Sequence, residues 1–290
     1  REVLMTISLL GLLITIVGVF LVARHVSIPL RKLAEKTRLI EAGIYDQPIE
    51  TTQEDEIGDL ARAYNHMSQG MADRDKVRGL LGKVVSGAIA EELLKSGEVK
   101  LGGEEKEVTI LFSDIRNFTT LSEGRPPSQI LEMLNDYLTR MNEVIEAHGG
   151  VVDKFIGDAI MALFGAPVRH SDDVDRALNA ALKMRDELEQ INAGLARKGL
   201  PQVAIGIGIN TDVVVAGNMG SRNRLNYTVI GDGVNLASRL ESETKALQRN
   251  IVVSENTRNQ AGPGFCFEDL GEVTVKGKMK AVRVYSVTRS

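Results

Sequence analysis

The stretch VVDKFIGDAIMALF (151–164) joins two apolar runs through Gly157 and Asp158. Apolar runs of this length around a Gly-Asp pair predict a β-hairpin, with strands at 151–156 and 159–164 and Asp158 in the turn. Aspartate is also common in such turns for conformational reasons alone, because it tolerates the turn geometry. A functional role for Asp158 therefore needs support from other parts of the chain.

A second aspartate, Asp114, follows the apolar run VTILF (108–112), which predicts a strand that ends at Ser113-Asp114. If this strand is a neighbour of the hairpin in one sheet, the carboxyl groups of Asp114 and Asp158 converge on a small region. Converging carboxylates favour Mg²⁺ over Zn²⁺, because Mg²⁺ prefers oxygen ligands and keeps coordination positions open for phosphate oxygens.

The downstream stretch NYTVIGDGVNLASRLES (226–242) predicts a strand, a tight Gly-Asp-Gly turn and a helix. Asn235 and Arg239 are four residues apart, so they share one face of that helix. Such a pair alone is more often a solvated helix face than a functional site. Here the leucines next to the pair give the helix an apolar side, so the polar residues form a small patch beside it.

With these three stretches, the chain resembles the class III nucleotidyl cyclases. The motifs of that family occur here in the family's order, as FSDIRNFT (112–119), KFIGD (154–158) and VNLASR (234–239). The resemblance covers about residues 105–290, and three ordered motifs make it specific. It implies a catalytic domain in which the 3′-hydroxyl of a nucleoside triphosphate attacks the α-phosphorus and pyrophosphate leaves.

The resemblance also implies a role for each motif residue. Asp114 and Asp158, together with Ile115, would hold two Mg²⁺ or Mn²⁺ ions in each active site. Asn235 and Arg239 would stabilise the transition state, for which a forked and permanently charged guanidinium group is well suited. The other implied contacts are with the purine, by Lys154 and Thr228, and with the phosphates, by Phe118, Thr119 and Lys276.

The choice of base follows from Lys154 and Thr228. Lysine only donates hydrogen bonds, which suits the acceptor N1 of adenine, and the threonine hydroxyl can accept from the exocyclic amine. Guanine presents the inverted pattern, with a donor at N1 and an acceptor at O6. Guanylyl members of the family have an acidic residue and Cys or a similar residue at these two positions. We therefore expect an adenylyl cyclase that uses ATP. A guanylyl cyclase and a catalytically silent nucleotide-binding module are the alternatives.

The resemblance implies a homodimer with active sites at the protomer interface, where one protomer supplies the metal ligands and the other the base and transition-state residues. Two features depart from the family pattern. The run VAIGIGINTD (203–212) ends in Asp212 where many members have Gly, and 205–207 lacks an Arg that some relatives carry near the phosphates. Large and small residues alternate along 203–209, which predicts a strand that another element approaches closely on one face.

The predicted fold class is α+β, with helices and strands in the βαββαβ order of a ferredoxin-like domain. The two helices are predicted at 126–148 and from 171 to about 198. The strands are predicted at 108–112, 151–156, 159–164 and 203–209, with further strands near 226–230, 250–253 and 265–287.

The first part of the chain predicts a membrane anchor. Residues 3–23 are uncharged and long enough to cross a bilayer, and the basic residues Arg24, Arg31 and Lys32 follow them. We therefore predict a transmembrane helix over 1–24, in the inner membrane, with the catalytic domain in the cytoplasm. The chain begins with Arg rather than Met, so we expect that an N-terminal sensor region is missing from it.

Two segments with heptad spacing follow, separated by a connector from Gly43 to about Gln53. Their apolar stripes are too narrow to fold alone, and they resemble a HAMP domain (25–72), a parallel four-helix coiled coil of two chains. A plain spacer coiled coil is the alternative. A helical signalling segment (73–104) is expected to pass motion from the HAMP domain to the catalytic domain (105–290).

Composition excludes some other functions. The net charge is −4, Trp is absent and no basic stripe occurs, which disfavours nucleic-acid binding. The single cysteine, Cys266, excludes an intrachain disulfide, and the 4 His residues have no zinc-binding spacing. The expected partners are ATP, a second copy of the chain and the lipid bilayer.

Overall fold

The computed structural model describes residues 2–84, 89, 102–221, 224–273 and 281–289. The chain divides after Val84 into two compact units. The predicted signalling segment (73–104) is helical as far as Val84, and its last residues, from Gly102, already belong to a strand. The rest of that segment lies outside the described residues, apart from the helical residue Ile89.

The N-terminal unit is a continuous helix followed by a loop and a second helix. Helix α1 (Glu2–Val22) continues through a π-helical segment (Ala23–Ser27) into α2 (Ile28–Glu41), and α3 spans Glu56–Val84. By length and composition, one helix among the described residues, Met5–Glu41, is apolar enough to cross a membrane. No part of the apolar stretch of this helix is buried inside the protein.

The connector between α2 and α3 is held by a side chain of α3. The Asn65 amide donates to the carbonyl of Ile49 at 2.9 Å, and its Oδ1 accepts from the Ile49 N–H at 2.8 Å. Three apolar residues of the predicted heptad pattern in α3, Leu60, Met67 and Met71, are exposed. An exposed apolar stripe of this kind agrees with helices that pack against a second chain.

The second unit is built on an eight-stranded sheet formed by the described residues. Its strands are β1 (Gly102–Ile115), β2 (Val151–Ile156), β3 (Ala159–Phe164), β4 (Ile205–Ser221), β5 (Arg224–Ile230), β6 (Ile251–Ser254), β7 (Phe265–Val273) and β8 (Val282–Arg289). Its helices are α4 (Phe118–Ser122), α5 (Pro127–Ala147), α6 (Asp173–Arg197), α7 (Asp232–Ala246) and α8 (Glu255–Gln260).

The strand order is β2-β3-β1-β4-β6-β8-β7, and β5 pairs with β4. The first four strands in this order pair antiparallel, and α5 and α6 connect β1 to β2 and β3 to β4. This arrangement is the ferredoxin-like fold, so the predicted fold class is confirmed. The remaining strands extend the sheet beyond β4.

The two faces of β4 pack against different helices. The large residues Ile205, Ile207 and Ile209 belong to the core cluster that includes buried residues of α5 and α6. The small residues between them face α7 so closely that a Cβ at Gly208 would lie 2.1 Å from the backbone N of Glu241. The predicted close approach to one face of this strand is confirmed.

Two predicted strand ends were wrong. Strand β1 does not end before Asp114 but continues to Ile115, so Asp114 lies inside the strand, opposite Gly206. Strand β4, which was predicted at 203–209, continues past Asp212 to Ser221. In both cases the pairing of β1 with β4 keeps a polar residue within the strand, since Asp114 pairs with Gly206 and Asp212 with Val108.

Candidate active site

The predicted carboxylate pair lies at one end of β1. Asp114 is near the end of this strand, and Asp158 lies in the turn between β2 and β3. Strand β3 runs beside β1 with Ile160 opposite Ser113, so the hairpin turn reaches the level of Asp114. The side chain of Asp158 lies close enough to that of Asp114 to raise its pKa, so the fold brings the two motif residues together.

The environment of this pair favours a cation. Burial, together with the hydrogen bond and the charge of Asp158, raises the pKa of Asp114 to about 6, although the N–H of Ile115 acts to lower it. Two ionised carboxylates this close repel, and a hard divalent cation with oxygen ligands removes that repulsion. Within the described ranges no group of three or more His, Cys, Asp or Glu could hold a metal. A cation here would therefore complete its coordination with other oxygens.

A third acidic residue, Glu241 of α7, lies close to the pair and was not predicted. Its Oε1 is 2.6 Å from the position that a Cβ of Gly206 would take, and Gly206 is the partner of Asp114 on β4. Burial and, to a smaller extent, the charge of Asp114 raise the pKa of Glu241 to about 7. The glycine indicated a close approach in the sequence, but only the packing of α7 identifies the group that approaches.

The two predicted base-reading residues meet within one chain. Lys154 Nζ, on β2, donates to Thr228 Oγ1, on β5, at 3.1 Å. Thr228 Oγ1 in turn donates to Asp153 Oδ2 at 2.7 Å, and Lys154 Nζ lies 3.4 Å from the same oxygen. Asp153 was not predicted as a site residue, and its only signal in the sequence is a charged pair inside an apolar run.

The single chain does not bring Asn235 and Arg239 to the carboxylate pair. Ala237 and Glu241 of α7 contact β4, and each lies two residues after one member of the pair. Two residues correspond to about 200° around a helix, so Asn235 and Arg239 lie on the side of α7 away from the sheet. Asn235 is exposed and Arg239 is half-buried, and neither side chain hydrogen-bonds to any residue that the structure describes.

Four other residues were predicted in the site. Ile115 is 3% exposed and packs in the core, and Phe118 packs against the same cluster. Thr119 is exposed in the first turn of α4. Lys276 lies outside the described residues. The roles of these four residues stay predictions.

A ferredoxin-like domain that carries the carboxylate pair Asp114 and Asp158, and separately the hydrogen-bonded pair Lys154 and Thr228, has the organisation of a nucleotidyl cyclase. Residues 102–289 match the sequence model of the Adenylate and Guanylate cyclase catalytic domain, and residues 21–73 match that of the HAMP domain. The chain therefore belongs to the adenylate and guanylate cyclase family. The resemblances stated from the sequence motifs are confirmed at this level, for both the cyclase and the HAMP domain.

Several relatives are named as cyclases. The adenylate cyclase of Anabaena cylindrica is 36% identical over 300 residues, which cover 98% of this chain and 58% of that protein. Adenylate cyclase 1 of Rhizobium meliloti is 36% identical over 204 residues, which cover 69% of this chain and 31% of that protein. The chain thus spans less than two thirds of the length of these curated relatives.

Solved structures of both cyclase types are similar to the second unit. The adenylyl cyclase CyaB from P. aeruginosa aligns with a TM-score of 0.62 and 36% identity, over 66% of this chain and 97% of that chain. The guanylyl cyclase Cya2 aligns with a TM-score of 0.60 and 39% identity, over 64% of this chain and 94% of that chain. Similarity alone therefore does not decide between ATP and GTP.

Proposed function

We propose that this chain is a membrane-anchored adenylyl cyclase that converts ATP into 3′,5′-cyclic AMP and pyrophosphate. Family membership leaves ATP and GTP open, because solved relatives of both names are similar to it. The observation that carries the choice of ATP is the hydrogen bond between Lys154 and Thr228. It supports the assignment of these two residues to one base-reading site.

The two side chains match the hydrogen-bonding edge of adenine. The Lys154 ammonium group only donates, which suits the N1 acceptor, and the Thr228 oxygen accepts from the 6-amino group. Guanine would place its N1 donor against the ammonium group of Lys154. Mismatched polar groups in a closed site cost more than a missing contact, because both lose water without gaining a partner.

Asp114 and Asp158 would hold the divalent cations, which we propose to be two Mg²⁺ or Mn²⁺ ions in each site. When bound, such ions neutralise phosphate charge and lower the pKa of the 3′-hydroxyl. The two carboxylates position this chemistry because they lie on a strand and in a tight turn of the same sheet. Main-chain groups of Ile115, Phe118 and Thr119 are proposed to complete the metal and phosphate contacts, together with Lys276.

Asn235 and Arg239 are proposed to act in the active site of a second copy. Their position on the side of α7 away from Glu241 supports this, because the carboxylate pair of their own chain lies on the sheet side. In the partner's site the Arg239 guanidinium would bind the charge that develops on the α-phosphoryl group, and Asn235 would orient the ribose. A homodimer then has two equivalent sites.

The N-terminal unit is proposed to anchor and regulate the enzyme. The apolar helix and the HAMP match suggest a membrane anchor. We propose that it lies in the inner membrane, that the catalytic unit is in the cytoplasm, and that a sensor region upstream of this chain controls activity through the HAMP helices.

Nucleotide turnover by the full chain in detergent or nanodiscs tests the proposed activity, with ATP and with GTP and either Mg²⁺ or Mn²⁺. We expect cyclic AMP from ATP, little product from GTP, and no product from Asp114→Ala or Asp158→Ala. Asp186→Ala is the matched control, because Asp186 lies on α6 and pairs with its neighbour Arg185. Preferential use of GTP would make the protein a guanylyl cyclase. Binding without turnover of either nucleotide would make it a silent module.

Mixed dimers of Asp114→Ala and Arg239→Ala test whether Arg239 acts in the partner's site. Each variant alone should be inactive. In a mixed dimer one site carries both changes and the other carries neither, so random mixing should restore about a quarter of the parent activity. Absence of any recovery, with mixed dimers verified by two different tags, would contradict the assignment.

A further inference from the structure

We propose that Asp153 determines which purine is accepted, by fixing the direction of the Thr228 hydroxyl so that its oxygen can only accept a hydrogen bond from the base. The inference rests on the proposed function of Lys154 and Thr228 as base readers. Asp153 does not need to touch the nucleotide, so it is a positioning residue that acts through Thr228.

A β-bulge brings Asp153 and Lys154 to the same side of β2. Neighbouring residues of a regular strand point to opposite faces of the sheet. In β2 the register shifts between Val152 and Lys154, so that Lys154 lies opposite Met161. Without this shift Lys154 would lie opposite Ile160, whose side chain is in the core cluster on the other face. Because of the bulge, both charged side chains reach the same hydroxyl group.

Asp153 is held as a buried hydrogen-bond acceptor. Its side chain is 1% exposed, whereas that of Lys154 is 42% exposed. Burial raises the pKa of Asp153 above its usual value, and the hydrogen bond from Thr228 and the charge of Lys154 only partly offset this rise. A carboxylate with an ammonium group 3.4 Å away is favoured in its ionised form, and an ionised carboxylate only accepts hydrogen bonds.

The hydrogen bonds of the Thr228 hydroxyl then leave it a single role. A hydroxyl group has one hydrogen to donate and two lone pairs that accept. The hydrogen is directed to Asp153 at 2.7 Å, and one lone pair accepts from Lys154 at 3.1 Å. What remains is an acceptor, which suits the 6-amino group of adenine and repels the O6 of a 6-oxopurine.

Threonine alone is an ambiguous reader, because a hydroxyl free to rotate can donate to O6 as well as accept from an amine. The selectivity against 6-oxopurines therefore depends on Asp153 as much as on Thr228. The bulge in β2 is the backbone feature that makes this possible, because it directs Asp153 and Lys154 to one face.

The test is Asp153→Asn in the full chain. The amide has the shape of the carboxylate but both donates and accepts hydrogen bonds. The Thr228 hydroxyl is then no longer restricted to donating its hydrogen to residue 153. kcat/KM is measured with ATP, with inosine triphosphate, which has the 6-oxo edge, and with purine riboside triphosphate, which lacks a substituent at position 6. We expect the ratio of ATP to inosine triphosphate to fall about tenfold or more.

A purely structural role for Asp153 gives a different result, because damage to the site lowers turnover of all three nucleotides by the same factor. Equal losses, or an unchanged ratio, would therefore overturn the inference. Asp269→Asn is the matched control. Asp269 on β7 accepts hydrogen bonds from Arg283 on β8, and β7 and β2 lie at opposite edges of the sheet. The ratio of ATP to inosine triphosphate in this variant should equal that of the parent.

Failure of the proposed function is separated from failure of this inference by the parent protein. If the parent binds but does not cyclise ATP, the proposed activity is wrong. The same ratio is then measured as dissociation constants, by displacement of a fluorescent ATP analogue. A parent that binds ATP more tightly than inosine triphosphate, with a ratio that Asp153→Asn lowers about tenfold, supports the inference in either case. A parent that does not discriminate overturns it.

Discussion

Gly208→Ala should force α7 away from the sheet. A Cβ at residue 208 would lie 2.1 Å from the backbone N of Glu241 and 2.4 Å from the carbonyl oxygen of Ala237. Non-bonded heavy atoms prefer separations of about 3.5–4 Å, so either the helix or the strand must move by about 1.5 Å. Both contacts are with backbone atoms, so no side-chain rotation relieves the clash.

The expected cost follows from this displacement. Overpacking of a well-packed interface costs about 1–3 kcal/mol of the free energy of unfolding. For a domain of this size, each kcal/mol lowers the melting temperature by about 2–4 °C. The shift also moves Asn235 and Arg239, which α7 carries, and a misplacement of about 1 Å near the chemistry can cost on the order of 100-fold in rate. We expect kcat to fall by about that factor.

Thermal unfolding and ATP turnover of the full chain measure the two effects of Gly208→Ala. Gly264→Ala is the matched control, because a Cβ at residue 264 meets no atom within 4 Å. The control should keep the parent's melting temperature and kcat. If Gly208→Ala also keeps both, α7 is not held against β4 by the glycine surface, and the reasoning is refuted.

Three other changes have defined outcomes. Asp114→Asn should reduce the pH dependence of stability in EDTA. A carboxyl group whose folded pKa is raised from 3.8 to about 6 binds its proton more tightly when folded, so parent stability should fall as pH rises through that range. Urea unfolding from pH 4 to 8 measures this, and an equal slope in the variant would contradict it. Arg239→Lys should lower kcat much more than it changes KM in steady-state kinetics, because Lys keeps the charge but loses the fork; an effect on KM alone would instead indicate ground-state binding. Asn65→Ala should destabilise the N-terminal unit by about 1–3 kcal/mol in urea, because it removes both hydrogen bonds to Ile49, whereas Gln69→Ala on the exposed side of α3 should not.

The hairpin that carries Asp158 was predictable from the sequence because its strands are short and end at a Gly-Asp turn. The predicted bounds, 151–156 and 159–164, are those that the structure has. Strands β1 and β4 were predicted too short. The outer part of β1 consists of polar and small residues, and in β4 the polar residues Asn210 to Asp212 interrupt the apolar pattern before Val213. Their strand conformation comes from pairing with each other, which is a tertiary effect.

Some of the acidic residues around the site were also predictable from the sequence, and others were not. Asp114 and Asp158 were predictable because each lies where an apolar strand meets a polar or glycine residue. Glu241 and Asp153 were not, because an acidic residue on a helix, or next to a lysine in an edge strand, is usually a solvated group. Glu241 is half-buried because Gly206 leaves room for it, and the Asp153 side chain is buried because of the bulge in β2.

The contact between Lys154 and Thr228 depends on a bend of β4 over the sheet. No local sequence pattern predicts this bend. Through β3 and β1, Lys154 lies in the register of Gly208, whereas Thr228 pairs with Gly217. These two glycines are nine residues apart, which is about 30 Å along an extended strand. The side chains nevertheless meet at 3.1 Å. The paired segments 215–221 of β4 and 224–230 of β5, here called the β4–β5 arm, must therefore bend back over the sheet.

The apolar cluster on this face accounts for the bend, because it joins Val229 of β5 to Phe112 of β1 and Met161 of β3. The carboxylate pair needs only β1 and the β2–β3 turn, whereas the base readers need the curled arm as well. The proposed base reading and the proposed metal binding therefore depend on different parts of one domain. A change in the arm, or at Asp153 beneath it, can alter the purine without disturbing the carboxylates. This separation explains in physical terms how one fold serves relatives named for ATP and relatives named for GTP.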